Sequence, residues 1–313
     1  MRRVVVAGGG GFIGSHLCDA LLARGAAVVC VDSFVTGDRS NLAAHRGTSA
    51  FTLIESDICA LPPIAGPVDA VLNLASPASP TDFDQIPIEI LDTGSLGTRN
   101  LLDLAVAKKA RFLQASTSEV YGDPAVHPQP ESYWGNVDPV GPRSCYDEAK
   151  RFGEALVSAY ARVHGLDTRI ARIFNTYGPR MRVNDGRVVI NFCAQALRGE
   201  PITVYGDGSQ TRSLCYVDDL VAGLIRLLES DVVGPCNLGS DAEFTMLELA
   251  ELVRDLAGSS SPIEMRPMPG SRIGDPMVRR PDLARAHSLL GYESTVSAEV
   301  GIRRVLDDLR RRG

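Results

Sequence analysis

The chain contains no C-x-x-C pair, although it has seven cysteines. They stand singly at Cys18, Cys30, Cys59, Cys145, Cys193, Cys215 and Cys236, mostly in apolar or helical surroundings, where a free thiol behaves as a small hydrophobe. An odd, scattered set excludes a disulfide framework and a cysteine zinc site, and it fits a reducing compartment. The five histidines are equally isolated, so no metal centre is expected. No apolar run approaches the ~18 residues of a membrane span. The opening "MRRVVVAGG" reads as a strand entered at once rather than a signal peptide. A cytoplasmic protein with no membrane partner is the expectation. Basic charge is also in deficit: the net charge is −6, which argues against a nucleic-acid partner. The arginines between Arg303 and Arg312 alternate with Val305, Leu306 and Leu309, the pattern of a helix with a solvated basic face. Internal repeats and low-complexity linkers are missing as well.

What is present is an ordinary globular composition, 44% hydrophobic and 22% charged over 313 residues, enough for one large or two small domains. "RRVVVAG", "AAVVCVD", "TLIESD", "AVLNLAS" and "ARFLQAST" read as strands separated by helical patterns. Their continuous apolar character suits strands covered on both faces. The expected fold is therefore α/β, a Rossmann-type doubly wound parallel sheet. The first helix turns Leu17, Leu21 and Leu22 inward and stops at Gly25. A second helix is expected over 100–108. A third, over 146–164, carries Phe152, Leu156, Tyr160 and Val163 on one stripe and leads into the strand "TRIARIFNTYG". After Gly178 glycine and proline become frequent and the elements shorten. Residues 1–178 are expected to bind a dinucleotide. Residues 179–313 are expected mainly to form a smaller α/β substrate-binding domain, with a segment able to return to the first. Thr245 and Glu248 have the spacing of a capping box, and "GSSSP" at 258–262 reads as a loop.

"AGGGGFIGSH" follows the first strand and opens the first helix, with Gly8, Gly11 and Gly14 in G-x-x-G-x-x-G spacing. Without side chains, backbone amides can approach a pyrophosphate at the positive end of the helix. The strand–loop–helix context gives this otherwise common pattern its weight. Asp32 ends the second strand, ~20 residues on, where a carboxylate accepts ribose hydroxyls and repels a 2′-phosphate. NAD is thus expected rather than NADP, with no arginine nearby to reverse the preference.

"CYDEAK" places Tyr146 and Lys150 one helical turn apart on one face. For tyrosine to act as a base near pH 7 its pKa must fall from ~10 by ~3, worth ~4 kcal/mol. One ammonium at ~4 Å supplies about that at an effective dielectric of ~20. Upstream, "QASTSEVYGDP" ends an apolar run in Ser116, Thr117, Ser118 and Glu119. Hydroxyls bonding local backbone as a strand ends account for that cluster as well as a catalytic site does.

Beyond these local patterns, "NLASPASP", "ASTSEVYGDP", "HPQPESYWGNVDPVGPRSCYDEAKR", "RIARIFNTYGPRM", "NDGRVVINF", "YGDGSQTRSLCYVDDL" and "DPMVRRPD" together resemble the extended short-chain dehydrogenases/reductases. Within them the resemblance is to the UDP-glucuronate decarboxylase (UDP-xylose synthase) group, and it covers almost the whole chain. It implies NAD-dependent decarboxylation of UDP-glucuronate to UDP-xylose through a 4-keto intermediate, with NAD recycled internally. Thr117 and Tyr146 would grip the sugar 4-hydroxyl, and Lys150 would support Tyr146. Ser118, Glu119 and Arg279 would stand near the departing carboxylate. Asn175, Asn191, Tyr205, Gln210, Arg212 and Arg272 would hold the UDP part. The cofactor would lie on Gly8, Gly11, Phe12, Ile13 and Gly14, with Asp32, Ser33, Thr36 and Gly37 at its ribose. Asp57, Ile58, Leu74, Ala75, Ser76, Thr93 and Ser116 would complete that wall.

Several positions depart from the group. Ala7 replaces a threonine, Asn73 a histidine and Gly94 an asparagine, and Asp38 stands where a basic residue is usual. Arg272, in "SRIGDP", matches the diphosphate arginine of nucleotide-sugar 4-epimerases. A UDP-sugar 4-epimerase acting on UDP-glucuronate or UDP-glucose is therefore the alternative; it shares Tyr146 and Lys150 but does not require Glu119. A 4,6-dehydratase would carry an Asp–Glu pair at Ser118–Glu119. A non-catalytic NAD sensor would be expected to lack Tyr146 or Lys150. The resemblance also implies a homodimer pairing the helices that contain Asn100 and Tyr146, although the chain's own sheet could cover the same faces.

Overall fold

The computed structural model describes residues 1–268 and 276–312. Six strands enter in the first part of the chain: β1 (Arg3–Ala7), β2 (Ala27–Asp32), β3 (Phe51–Glu55), β4 (Ala70–Asn73), β5 (Arg111–Thr117) and β6 (Thr168–Ile173). Short strands β7 (Thr176–Tyr177), β8 (Ile202–Tyr205), β9 (Thr211–Ser213) and β10 (Cys215–Tyr216) follow outside that sheet, and β11 (Pro235–Leu238) returns to it. The order β11-β6-β5-β4-β1-β2-β3 is parallel throughout. Strand order reverses between β1 and β4, the place where an open α/β sheet leaves a crevice beyond its carboxyl ends. β12 (Glu243–Thr245) pairs with β9, and β13 (Ile263–Arg266) with β8.

Alternation along β1 sorts the two cores. Val4 and Val6 face one cluster, with Leu17 and Leu21 of α1 (Phe12–Ala23). Val5 and Ala7 face the other, with Val71, Leu101 and Phe112. Full burial of each such side chain is worth about 1.5–3 kcal/mol, and a one-residue slip would exchange the two sets. On the second face lie α2 (Pro80–Phe83), α3 (Pro87–Asp92), a π-helical turn (Thr93–Gly97), α4 (Thr98–Lys108) and α5 (Ser144–His164). Residues beyond 178 share the first cluster: α6 (Val188–Arg198), α7 (Val217–Glu229), α8 (Met246–Ala257), α9 (Ala284–Leu290) and α10 (Ala298–Arg312) all contribute side chains to it. The Thr245–Glu248 capping box forms at the start of α8.

The α5 stripe divides in the fold: Leu156 and Tyr160 pack, partly buried, against the second cluster, whereas Phe152 is 49% and Val163 75% exposed. The fully buried face includes Tyr146, Ala149, Lys150, Gly153 and Val157. A Cβ added at Gly94 would sit 2.6 Å from the Ala149 Cβ, so the π turn and α5 approach too closely there for a larger side chain, while one at Gly153 would make ordinary contact with Gln114 at 3.4 Å.

Candidate active site

A cavity of about 340 Å³ opens at the carboxyl ends of the central strands. Its floor is the glycine loop. Gly8 holds φ +78°, a conformation costly for residues with a Cβ, and the Gly11 N–H donates to the Gly8 carbonyl at 3.2 Å. A Cβ at Gly14 would lie 2.0 Å from the Gly8 oxygen, so helix and loop are in backbone contact. No side chain caps α1 at Gly11, which leaves its first N–H groups directed at the cavity. That bare helix start fits a diphosphate.

Asp32 accepts the Gly10 and Phe34 N–H groups, each at 2.7 Å, and burial pushes its carboxyl up from the ordinary value. Contrary to expectation an arginine is close by. Arg39 stacks 4.4 Å from the Phe34 ring centroid, but Glu55 holds its guanidinium, with Nε donating at 3.3 Å. Phe12, Ile13, Thr36, Leu74, Ser76 and Ser116 line the cavity, whereas Asp32, Ser33, Gly37, Asp57, Ile58, Ala75 and Thr93 lie outside its lining. Some expected ligands are engaged in the scaffold. Asp57 caps a short turn through Cys59 N at 2.7 Å. Ile58 is buried where a Cβ at Gly97 would meet it. The Thr93 and Ser116 hydroxyls donate to the Glu89 carbonyl and to Glu154, at 2.7 and 2.6 Å.

Tyr146 and Lys150 come from the first turns of α5 and are both buried. Burial pushes the Tyr146 phenol up to about 12 against the opposing hydrogen bond to Thr117, and burial alone lowers the Lys150 ammonium to about 8. The direction for Tyr146 is opposite to the one reactivity requires. Lys150 Nζ stands 5.6 Å from the phenol ring centroid and donates to the Ala115 carbonyl at 2.9 Å. Phe83 stacks on Tyr146 at 5.2 Å and 19°, so apolar surface covers the phenol.

Beside them the end of β5 turns into a short 3-10 helix, Ser118–Tyr121, capped by the Thr117 hydroxyl, which accepts the Glu119 N–H at 3.2 Å. Ser118 also lines the cavity. The turn aims Glu119 at two arginines. Arg279 meets both its carboxylate oxygens, at 2.7 and 2.9 Å, and Arg143 lies 3.0 Å from Oε2. Arg279 also donates to Asn175 Oδ1 at 3.3 Å. At the far end the cavity is lined by Asn191 of α6, Tyr205 of β8, Gln210, and Arg212 of β9. Gln210 donates to the Tyr205 carbonyl at 3.2 Å, while its buried Oε1 has no partner among the described residues, an acceptor suited to an amide N–H. Arg272 lies outside the described residues.

Sequence reasoning missed Arg143 and the adjoining buried Asp147. Arg143 stands three residues before Tyr146, a spacing that could have placed both on one side of the helix start. Asp147 reads in sequence only as an acid favouring a helix N-terminus. Among the described residues no group of three or more His, Cys, Asp or Glu side chains is placed to hold a metal ion.

A parallel sheet with a bare glycine-loop helix start, and a buried tyrosine–lysine pair at its carboxyl edge, defines a dinucleotide-dependent enzyme that acts at a carbon bearing a hydroxyl. The chain belongs to the NAD dependent epimerase/dehydratase family, whose model matches residues 4–239. It is similar to UDP-glucuronic acid decarboxylase 2 of Arabidopsis thaliana, 53% identical over 310 residues, covering 99% of this chain and 68% of the plant protein. UDP-glucuronic acid decarboxylase 1 of Danio rerio is 49% identical, covering 97% and 72%. Among solved structures it resembles a UDP-glucose 4-epimerase from Thermotoga maritima with UDP-glucose (TM-score 0.89, 28% identity, 99% of each chain). It also resembles a UDP-glucuronic acid 4-epimerase from Bacillus cereus with UDP-glucuronic acid and NAD (TM-score 0.87, 28% identity, 99% and 100%).

Proposed function

We infer that the chain converts UDP-glucuronate to UDP-xylose and CO2, with NAD as a recycled cofactor. The observation that carries this reading is the Arg143–Glu119–Arg279 cluster beside Tyr146 and Thr117. Oxidation at C4 needs only the tyrosine, the lysine and a hydroxyl, whereas this cluster supplies cations and a carboxylate where a sugar carboxylate would lie.

When bound, NAD supplies a hydride acceptor for C4 and returns the hydride to the C4 ketone. The glycine loop and α1 would hold its diphosphate, and Asp32 a ribose. Tyr146 takes the proton of the C4 hydroxyl, which Thr117 helps to hold. Because burial raises the phenol, Lys150 must be charged for this step. The C4 ketone stands β to the carboxylate, so when the C5–carboxylate bond breaks its electron pair passes to the ketone oxygen as an enolate. Arg279 and Arg143 orient the carboxylate by charge-assisted hydrogen bonds, and Glu119 fixes both guanidinium planes. Proton addition at C5 completes the xylose ring, and Tyr146 returns its proton to the C4 oxygen.

Incubation with UDP-glucuronate and NAD, resolved by NMR, tests the reading: UDP-xylose and CO2 are expected. The competing reading is a 4-epimerase, favoured by the likeness to the two epimerase structures; C4 epimers alone among the products would establish it.

The same reading includes a cytoplasmic homodimer. All seven cysteines are free thiols. No helix of the described residues is long and apolar enough to cross a membrane. Ile88, Leu91, Leu96, Phe152 and Val163 are exposed on α3, the π turn and α5, elements packed on one another. A second copy would cover this apolar face. Phe152→Glu should shift the sedimentation mass from two chains to one; an unchanged dimer removes α5 from the interface.

A further inference from the structure

The Glu119 cluster contains a second carboxyl that the mechanism above leaves unused. Asp147 occupies the first turn of α5, its backbone N–H donating to the Arg143 carbonyl at 3.2 Å, and it is only 6% exposed. Its Oδ1 is buried with no hydrogen-bond partner among the described residues. An ionised carboxylate there would leave Oδ1 desolvated with no hydrogen bond, a costly state that protonation relieves. Among the described residues the leading charges acting on it are Glu119 from the turn after β5 and Glu148 from its own helix, opposed by Arg143 and Arg279. Glu119 already engages both arginines. Burial, then the Glu119 charge, push the Asp147 carboxyl up to about 7, so it is poised to gain or lose a proton near neutrality.

Decarboxylation consumes one proton: R–COO⁻ + H⁺ gives R–H and CO2. Resting on the reading above, we propose that Asp147 is the positioning residue that couples this proton to substrate recognition, protonated while a sugar carboxylate occupies the Arg143–Arg279 cluster and ionised once the carboxylate has left. Charge supplies the coupling. A bound carboxylate adds a negative charge to a cluster that already holds Glu119. At ~8 Å and an effective dielectric of ~20, one such charge raises a carboxyl's proton affinity roughly thirty-fold. The proton is thus taken up on binding. When the C5–carboxylate bond breaks, the negative charge departs with the electron pair, first into the enolate and then into the new C–H bond. Asp147 then ionises, and the proton taken up on binding balances the one consumed in the new C5–H bond, so one proton enters and one C–H bond is made. Arg143 and Glu119 carry the effect to the cavity, which Asp147 itself does not line.

Titration calorimetry of the NAD-loaded enzyme at pH 7, in buffers of different ionisation enthalpy, tests this directly. Binding of UDP-glucuronate should take up a fraction of a proton that UDP-glucose, lacking the carboxylate, does not. Asp147→Asn, which mimics the protonated form, should bind UDP-glucuronate and lose that difference. Its affinity should also no longer weaken as pH rises from 6 to 8. Equal uptake with the two ligands in wild type overturns the proposal whether or not the variant folds, as does undiminished uptake in a folded Asp147→Asn. Differential uptake without CO2 release would leave the binding-linked protonation of Asp147 standing and defeat both its release step and the decarboxylase reading. Failure to bind UDP-glucuronate at all defeats both.

Discussion

Arg279 and Glu119 lie 160 positions apart and meet through two contacts, Nη1 to Oε1 at 2.7 Å and Nη2 to Oε2 at 2.9 Å. Both side chains are buried, with 7% and 11% side-chain exposure. A forked pair of this kind fixes the guanidinium plane as well as its charge. It also ties the turn at the end of β5 to the segment that precedes α9, and both residues line the cavity.

Replacing the fork by a point charge should therefore cost recognition of a carboxylate more than recognition of UDP. Arg279→Lys is expected to weaken UDP-glucuronate binding about ten-fold or more while changing UDP-glucose binding little, since a lysine cannot bond two oxygens in one plane. Parallel calorimetric titrations decide it. Equal losses for the two ligands would remove Arg279 from carboxylate recognition. Glu119→Ala should slow single-turnover CO2 release by ~10²–10⁴ with a smaller loss of affinity.

Lys150 gives a stability prediction with a definite sign. Burial lowers its ammonium to about 8 from 10.5. Between those values the unfolded chain binds more protons than the folded one, so this group's contribution to stability rises with pH. At pH 7 the lysine is charged in both states, and its burial costs up to about 3 kcal/mol, offset by about 1 kcal/mol from its bond to Ala115. Lys150→Met should thus be the more stable protein at pH 7, by about 2 kcal/mol. The advantage should shrink between pH 8 and 10.5, while activity is lost. Urea denaturation at several pH values measures it, and a destabilised variant at pH 7 would count against a buried ammonium.

Asp32 should confer tighter binding of NAD than of NADP, because its carboxylate would face a 2′-phosphate while Arg39 is paired with Glu55. Asp32→Ala is expected to narrow the gap, mainly by weakening NAD. It should also lose some stability, since Asp32 accepts two backbone N–H groups. Fluorescence titration with both cofactors checks this; comparable wild-type affinities would be the contrary result.

Gly94 is a test of packing. Its added Cβ would fall 2.6 Å from the Ala149 Cβ, between Tyr146 and Lys150 in sequence. Gly94→Ala should destabilise the protein by about 1–3 kcal/mol, the usual cost of overpacking, and lower the rate by shifting both side chains. Unchanged melting temperature and turnover would show that α5 can move without penalty.

Much of this was legible in the chain because the signals are local. The glycine spacing, the strand before it and the helix after it all lie within one supersecondary unit, so their meaning does not depend on distant contacts. The same holds for Tyr146 and Lys150, one turn apart on a helix, and for the Thr245–Glu248 box. The face of α5 was a different matter. Its apolar stripe divides between core and surface, Leu156 and Tyr160 packing inward and Phe152 and Val163 staying exposed, and the close approach of Gly94 to Ala149 has no signal in the spacing.

By itself, then, the sequence determined the alternating β and α rhythm, the cofactor loop, the reactive pair and the resemblance that names a chemistry. Each is a pattern of neighbours along the chain. Tertiary structure decided which charges meet. Arg143 and Asp147 looked like an unremarked arginine and a helix-start acid until the turn after β5 brought Glu119 against one and into the field of the other. Tertiary structure also set the direction of the Tyr146 shift, because desolvation depends on what surrounds a phenol from every side. Coulomb interaction and burial act through space, and the order of residues alone does not specify the separations on which both depend.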